Sequence, residues 1–325
     1  MAIGTCSKCG GPLEQGVTTC PECGEAVKKA ETPKPNETVK PAASKAPVDV
    51  QKAKDLAKSP KGKIVGIGAV AVILAVIGIA AFVLLKKDSP DDYSYKLTIT
   101  DATITGVLNK DLENLKIPSS IDGVPVTTIG NRAFVDCVFI TGAELPDSVT
   151  TIESAAFSGC ISLTSVSVPN SVSDIGAYAF ANCNELKSLS IPDSVTIINK
   201  YTFMGCTSLT SADIPDTVTS IGSAAFVDCK SLKKVNIPKG VTEINNSTFQ
   251  NCESLTKVEI PKSVTRIHSY AFSGCTNLTR VDIPITVQQI NNHAFDDCPN
   301  LTIYGKSGSP AEVYARANKI KFKAQ

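Results

Sequence analysis

Phenylalanine returns every 23 residues, at Phe134, Phe157, Phe180, Phe203, Phe226, Phe249, Phe272 and Phe295. A cysteine follows each by three positions: Cys137, Cys160, Cys183, Cys206, Cys229, Cys252, Cys275 and Cys298. A catalytic site needs unlike residues at a few places, whereas a stack of like coils needs the same residue at every level. The lattice therefore restricts this part of the chain to a solenoid, and its function to recognition over a repetitive surface. Low aromatic content, no Trp and only two His argue in the same direction, against a cofactor-rich enzyme core.

The unit running from Leu163 to Cys183 predicts one coil. Leu163-Thr-Ser-Val166-Ser-Val168 alternates and is β-branched, so it reads as a short strand with its apolar side inward. Pro169 ends the ladder because it has no N–H to donate. Val172 and Ile175 then point inward again, the Ala179-Phe180 pair packs the far wall from a short helical turn, and Cys183 fills the last corner as a small hydrophobe. Stacking at ~4.8 Å lines up the phenylalanines in one column and the prolines from Pro146 to Pro284 in another. Ser148, Ser171, Ser194, Thr217, Ser263 and Thr286 form a hydroxyl column, interrupted by Gly240, that should bond turn backbone the ladder leaves unpaired.

Ile-Pro, Val-x-x-Ile and Ala-Phe-x-x-Cys at these offsets resemble the BspA-like class of leucine-rich repeats, and the likeness covers residues 93–325. Ile117-Pro118-Ser-Ser-Ile121-Asp-Gly123-Val-Pro125-Val126 is similar to that class's opening motif, with a five-residue insertion before the regular register. The resemblance implies a β-rich leucine-rich-repeat solenoid on a bacterial or protist surface protein, attached to proteins of a host or a neighbouring cell. At the repeat over 138–145, Gly142 and Ala143 replace larger residues and should loosen the first rungs.

An open stack exposes a strand edge at each end, so both ends need caps. The N-terminal cap falls over 93–125, with 95–104 closing the stack, and the C-terminal cap over 301–325. In the latter, Ser309-Pro310-Ala-Glu312 carries an N-cap, a proline in the first turn and a Glu three residues on, which predicts a helix to about Asn318 with Val313, Tyr314 and Ala317 docked. The repeat cysteines allow disulfides or a buried thiol ladder. Parallel side chains in successive coils need not meet the dihedral a disulfide requires, which favours the thiols. His268 and His293 occupy different slots and read as solvated flank residues.

Before the repeats, residues 64–85 form a run of 22 without a charged or strongly polar side chain. At ~1.5 Å per residue it covers the ~30 Å core of a bilayer, and it starts too late and runs too long for a cleaved signal peptide. Residues 1–63 hold eleven Lys against seven acidic residues, a balance of +4, and lysines crowd the near side of the run. The N-terminus is therefore expected in the cytoplasm and the repeats (86–325) outside, on a single-pass anchor. Residues 86–325 hold 21 basic and 24 acidic side chains, a balance of −3, the wrong sign for a general nucleic-acid binder.

Within residues 1–27, Cys6-Ser-Lys-Cys9-Gly and Cys20-Pro-Glu-Cys23-Gly are two hooks whose four thiolates suit tetrahedral Zn2+. So short a segment cannot bury a core, so the structural metal must supply its folding energy. The segment resembles a zinc ribbon. A disulfide pairing of the hooks is disfavoured in the cytoplasm. With Lys8 the sole basic residue between the first and last ligand, a structural knob or a tag that docks to a cytoplasmic protein is expected over nucleic-acid binding. Residues 28–63, rich in Lys, Pro and Ala, read as a disordered linker.

On the outward strand face one column runs Gly142, Ser165, Ser188, Ser211, Lys234, Lys257, Arg280 and the next Glu144, Ser167, Ser190, Asp213, Asn236, Glu259, Asp282. Lys234, Lys257 and Arg280 against Asp213, Glu259 and Asp282 make a zipper of opposite charge, the candidate protein-binding face. The same charges also keep an exposed sheet soluble. Tyr178, Tyr201, Tyr270 and His293 share a second slot. The expected function is non-enzymatic binding of extracellular proteins in adhesion, or alternatively a membrane scaffold or sensor that links the external solenoid to a cytoplasmic partner through the zinc ribbon.

Overall fold

The computed structural model describes residues 2–5, 12–14, 92–110 and 112–325. The zinc-ribbon ligands Cys6, Cys9, Cys20 and Cys23, the linker over 28–63 and the membrane run over 64–85 lie outside the described residues. Among the described residues no helix is long and apolar enough to cross a membrane. At the N-terminal end, strands Ala2–Thr5 and Pro12–Glu14 pair antiparallel.

From residue 92 onward the chain coils. In the unit after Leu163, strand Ser165–Ser167 turns Val166 inward between exposed Ser165 and Ser167, as strict alternation requires. It pairs in parallel with Gly142–Glu144 of the coil before, Val166 against Ala143. The inward Val172 and Ile175 follow, but Ile175 does more than pack. Asp174–Ile175 is itself a strand, paired in parallel with Thr151–Ile152, so each coil carries a second short ladder after the Pro corner.

The third side departs from the expected helical turn. Tight turns close within the coil, Ala179 N–H to Gly176 O at 3.2 Å and Ala181 N–H to Tyr178 O at 3.0 Å, while Tyr178, Phe180 and Asn182 donate instead to carbonyls of the next coil at 2.6–3.2 Å. A helix directs every N–H along its own axis; here alternate N–H groups must turn outward to a neighbour, and two left-handed residues per coil do the turning. Tyr178 and Asn182 have φ of 60° and 58°, and equivalent positions are left-handed in all eight coils. The second of these slots holds Asp136, Gly159, Asn182, Gly205, Asp228, Asn251, Gly274 and Asp297, the residue types that tolerate positive φ best. Where it holds Gly, the carboxylate or amide of the preceding coil takes the space: a Cβ at Gly159 would lie 2.1 Å from Asp136 Oδ1.

The core is the phenylalanine column. Successive rings lie 5.1–5.8 Å apart, nearly parallel after the first pair. All eight repeat cysteines are free, and seven of them are buried. Each thiol from Cys160 to Cys298 donates to the phenylalanine carbonyl of the coil before, at 3.0–3.3 Å. Each of these carbonyls also accepts the N–H of the cysteine in its own coil at 3.2–3.3 Å, so the thiol fills its second acceptor position. The hydroxyl column behaves as expected at Ser148, Ser171, Ser194, Thr217 and Ser263, which donate to carbonyls of the preceding layer at 2.5–3.1 Å.

At the N-terminal end, Tyr93–Leu97 and Ala102–Val107 form an antiparallel hairpin, and its second strand pairs in parallel with Val124–Ile129. The Tyr93 hydroxyl accepts from Lys116 N–H at 3.1 Å. The first rungs are not loosened by Gly142 and Ala143. Gly142–Glu144 pairs on both sides, and the missing side chain at Gly142 admits Asn114 Oδ1, which would lie 2.6 Å from a Cβ there.

At the C-terminal end, helix Pro310–Ala317 buries Ala311, Tyr314 and Ala315. Val313 and Ala317, expected to dock, are exposed, because the helix presents the 311/314/315 stripe to the stack. Ser309 makes no side-chain cap; Glu312 instead accepts from Gly308 N–H at 2.7 Å. Tyr314 meets Phe295 edge-on at 5.9 Å and its hydroxyl accepts from Phe295 N–H, closing the ring column. A last strand, Lys321–Ala324, pairs in parallel with Thr302–Gly305 and covers the edge the sequence left open.

Candidate protein-binding face

The outward side chains of the first ladder are held by backbone paired above and below, so each strand sets the position of residues two apart on one face. Lys257 lies beside Arg280, and Glu259 beside Asp282. Ser211 is level with Lys234. The structure brings the six charges onto one face, and the zipper closes along two of the strands. Lys257 Nζ meets Glu259 Oε1 at 2.5 Å, and Arg280 grips Asp282 with two bonds of 2.6 and 2.7 Å. That grip, chiefly its hydrogen bonds, holds the Asp282 carboxyl below the usual carboxylate range.

Arg280 is further committed. Its guanidinium lies 3.9 Å from the Tyr304 ring centroid, a cation–π contact, and Asp282 also accepts from Gln325 Nε2 at 3.2 Å. These two residues thus fasten the C-terminal cap. Lys234 and Asp213 form no ion pair among the described residues. Asp213 borders a shallow depression with Ser190, Asp193, Asp216 and Asn236. Gly142 in the neutral half is buried, while Ser165, Ser188 and Ser211 are exposed.

The two histidines are not bare solvated residues. His268 Nε2 lies 2.8 Å from Glu243 Oε2, and His293 Nδ1 lies 2.6 Å from Asp296 Oδ2. Sequence reading missed these pairs because the partners sit 25 and three residues away, and only coil register brings the first together. In the aromatic slot, Tyr178 and Tyr201 stack at 4.6 Å and Tyr270 and His293 at 5.2 Å. Burial raises the Tyr178 phenol. Among the described residues no cluster of three or more His, Cys, Asp or Glu is placed to hold a metal.

No curated protein is detectably similar to the chain. A solved leucine-rich repeat protein of T. pallidum shares 28% identity at a TM-score of 0.53, covering 74% of this chain and 98% of that one. A leucine rich cell surface protein of Faecalibacterium prausnitzii shares 22% identity at a TM-score of 0.38, over 73% of this chain and 98% of that one. The model of the BspA type leucine rich repeat region matches in six copies, over residues 127–256 and 196–309. With the 23-residue parallel ladders, the phenylalanine column and the Cys-to-Phe bonds, this match places the chain in the BspA-type leucine-rich repeat family.

Proposed function

We propose that this is a membrane-anchored surface protein whose external solenoid binds other proteins in adhesion. The supporting observation is the strand face, whose backbone is fixed by two flanking coils and so has little ordering cost left on binding. Lys234 and Asp213, the two charges without an ion pair, mark its centre. Arg280 and Asp282 belong to the cap, so they are poor positions for a test. Lys234→Glu with Lys257→Glu should weaken capture of a protein ligand by the purified chain by about tenfold or more and flatten its salt dependence, with unchanged circular dichroism. Capture that is indifferent to both changes would remove the face from the proposal. Protease added to intact cells should remove the repeats and spare residues 1–27; digestion of those residues first would reverse the orientation.

Cys6, Cys9, Cys20 and Cys23 would hold a structural Zn2+ on the cytoplasmic side. Their number, softness and hook spacing fit a closed tetrahedral site. The chain should carry one equivalent of zinc by metal analysis, and Cys20→Ser should release it. Retention of zinc by that variant would exclude the site. The ribbon and linker on the far side of the anchor also support a scaffold or sensor reading, in which deleting residues 1–27 abolishes function while surface display persists.

A further inference from the structure

Three large apolar side chains are left exposed near the end of the stack where the chain enters it. Leu108 is 44%, Val138 50% and Ile161 45% exposed. Leu108 donates its N–H to Asp92 O at 2.7 Å, so it sits beside the residue at which the described solenoid begins. Thr141 N–H reaches Glu113 O at 2.7 Å, and Asn114 is level with Gly142. That register sets the segment holding Leu108 and Lys110 one coil before the segment holding Val138, and Ile161 follows one coil later in the same slot. Single exposed apolar residues are ordinary, but the rest of this slot, from Asn184 through Lys230 to Thr276, is polar. Only the two coils nearest the entry depart from that pattern. Ile99, at the far end of the hairpin from Asp92, is not part of the group.

What covers these residues follows from the length of chain before them. Six residues, Lys86 to Asp91, separate the apolar run over 64–85 from Asp92. Even fully extended, a link of that length spans at most about 25 Å. With the run in a bilayer, the entry corner is held within that distance of the lipid surface. Tethering raises the effective concentration of lipid, so a patch too small to bind a membrane unaided is sufficient. Lys110 is exposed beside the patch, and its ammonium suits headgroup phosphate while its stem lies over hydrocarbon. We propose that Leu108, Val138 and Ile161 rest in the interface of the bilayer from which the chain emerges, docking the entry end of the solenoid on the membrane. This contact rests on the proposed anchor. It holds the charged strand face, several coils further on, clear of the lipid.

The chain has no Trp, so one substitution supplies the only indole. The full chain is reconstituted in phosphatidylcholine vesicles whose acyl chains carry bromine, a contact quencher of indole fluorescence. Val138→Trp and Ile161→Trp should each lose about half or more of their emission relative to unbrominated lipid. Ile285→Trp, at a 57% exposed position toward the far end of the stack, should lose none. Leu74→Trp, in the middle of the apolar run, reports the anchor independently. Leu108→Trp should be quenched, and released when Val138→Asp and Ile161→Asp are added, with an unchanged thermal transition. Quenching of Leu74→Trp without quenching of Val138→Trp and Ile161→Trp would overturn the contact and leave the anchor standing. No quenching of Leu74→Trp would remove the anchor and the contact with it. Ile285→Trp quenched as strongly as Val138→Trp would also overturn the inference, since the whole stack would then lie on lipid, and so would a Leu108→Trp signal indifferent to the two added charges.

Discussion

Phe226→Ala should destabilise the solenoid by about 3–5 kcal/mol, read as a fall in the urea midpoint. The ring is fully buried and lies between Phe203 at 5.2 Å and Phe249 at 5.5 Å. Its removal costs the transfer energy of the side chain and leaves a void that two stacked rings, each locked to its own coil, cannot collapse to fill. Units in a solenoid depend on nearest neighbours, so a defect at mid-stack weakens two interfaces at once. Phe295→Ala sits at the lower end of that range. It has one ring neighbour in the column, but Tyr314 covers the other face, so the position is 2% exposed and behaves as interior. A midpoint unchanged by Phe226→Ala would mean that the column is not what holds the coils together.

The fold was legible because a solenoid repeats its own evidence: Val166, Val172, Ile175, Phe180 and Cys183 each recur at one offset, and each recurrence is a buried slot. What sequence reading lost were features with no side-chain signature. The second ladder at Asp174–Ile175 is two residues long, too short for an alternation to register. The left-handed slots were visible in part, since Asp, Asn and Gly fill the second one. The first holds Tyr, Ala, Ser, Arg and His, which do not announce positive φ, and so a helical turn was expected there. At the candidate face, the two outward columns meet on two strands, Lys257 with Glu259 and Arg280 with Asp282, while Lys234 and Asp213 stand without an ion pair among the described residues because their own strands carry Asn236 and Ser211 in the facing positions. The further hold on Arg280 was not legible because its second partner, Tyr304, comes from the irregular C-terminal cap, where the period gives no guidance.

The thiol ladder carries the second large effect. Burial pushes Cys160, Cys206 and Cys298 up to about 12 from an ordinary 9.0, and drives Cys183, Cys229, Cys252 and Cys275 upward by the same cause. Thiolate is the reactive form, so at pH 8 a shift of this size lowers its population roughly a thousandfold, before steric exclusion is counted. Cys137 is the exception: it is half-buried in the first coil, with a smaller rise. Site-resolved mass spectrometry after alkylation of the native chain should find Cys137 labelled first and the seven others only on denaturation. Stability follows with a definite sign. A neutral buried thiol keeps its proton when the unfolded chain begins to lose it, so the stabilisation is complete below pH 9 and is lost as pH rises toward 12. Each thiol adds on the order of 1 kcal/mol per pH unit to that decline, and Cys206→Ala should make it shallower. Neighbouring cysteines found joined in the native protein, or a urea midpoint flat between pH 8 and about 11, would show that the ladder is not a column of buried thiols.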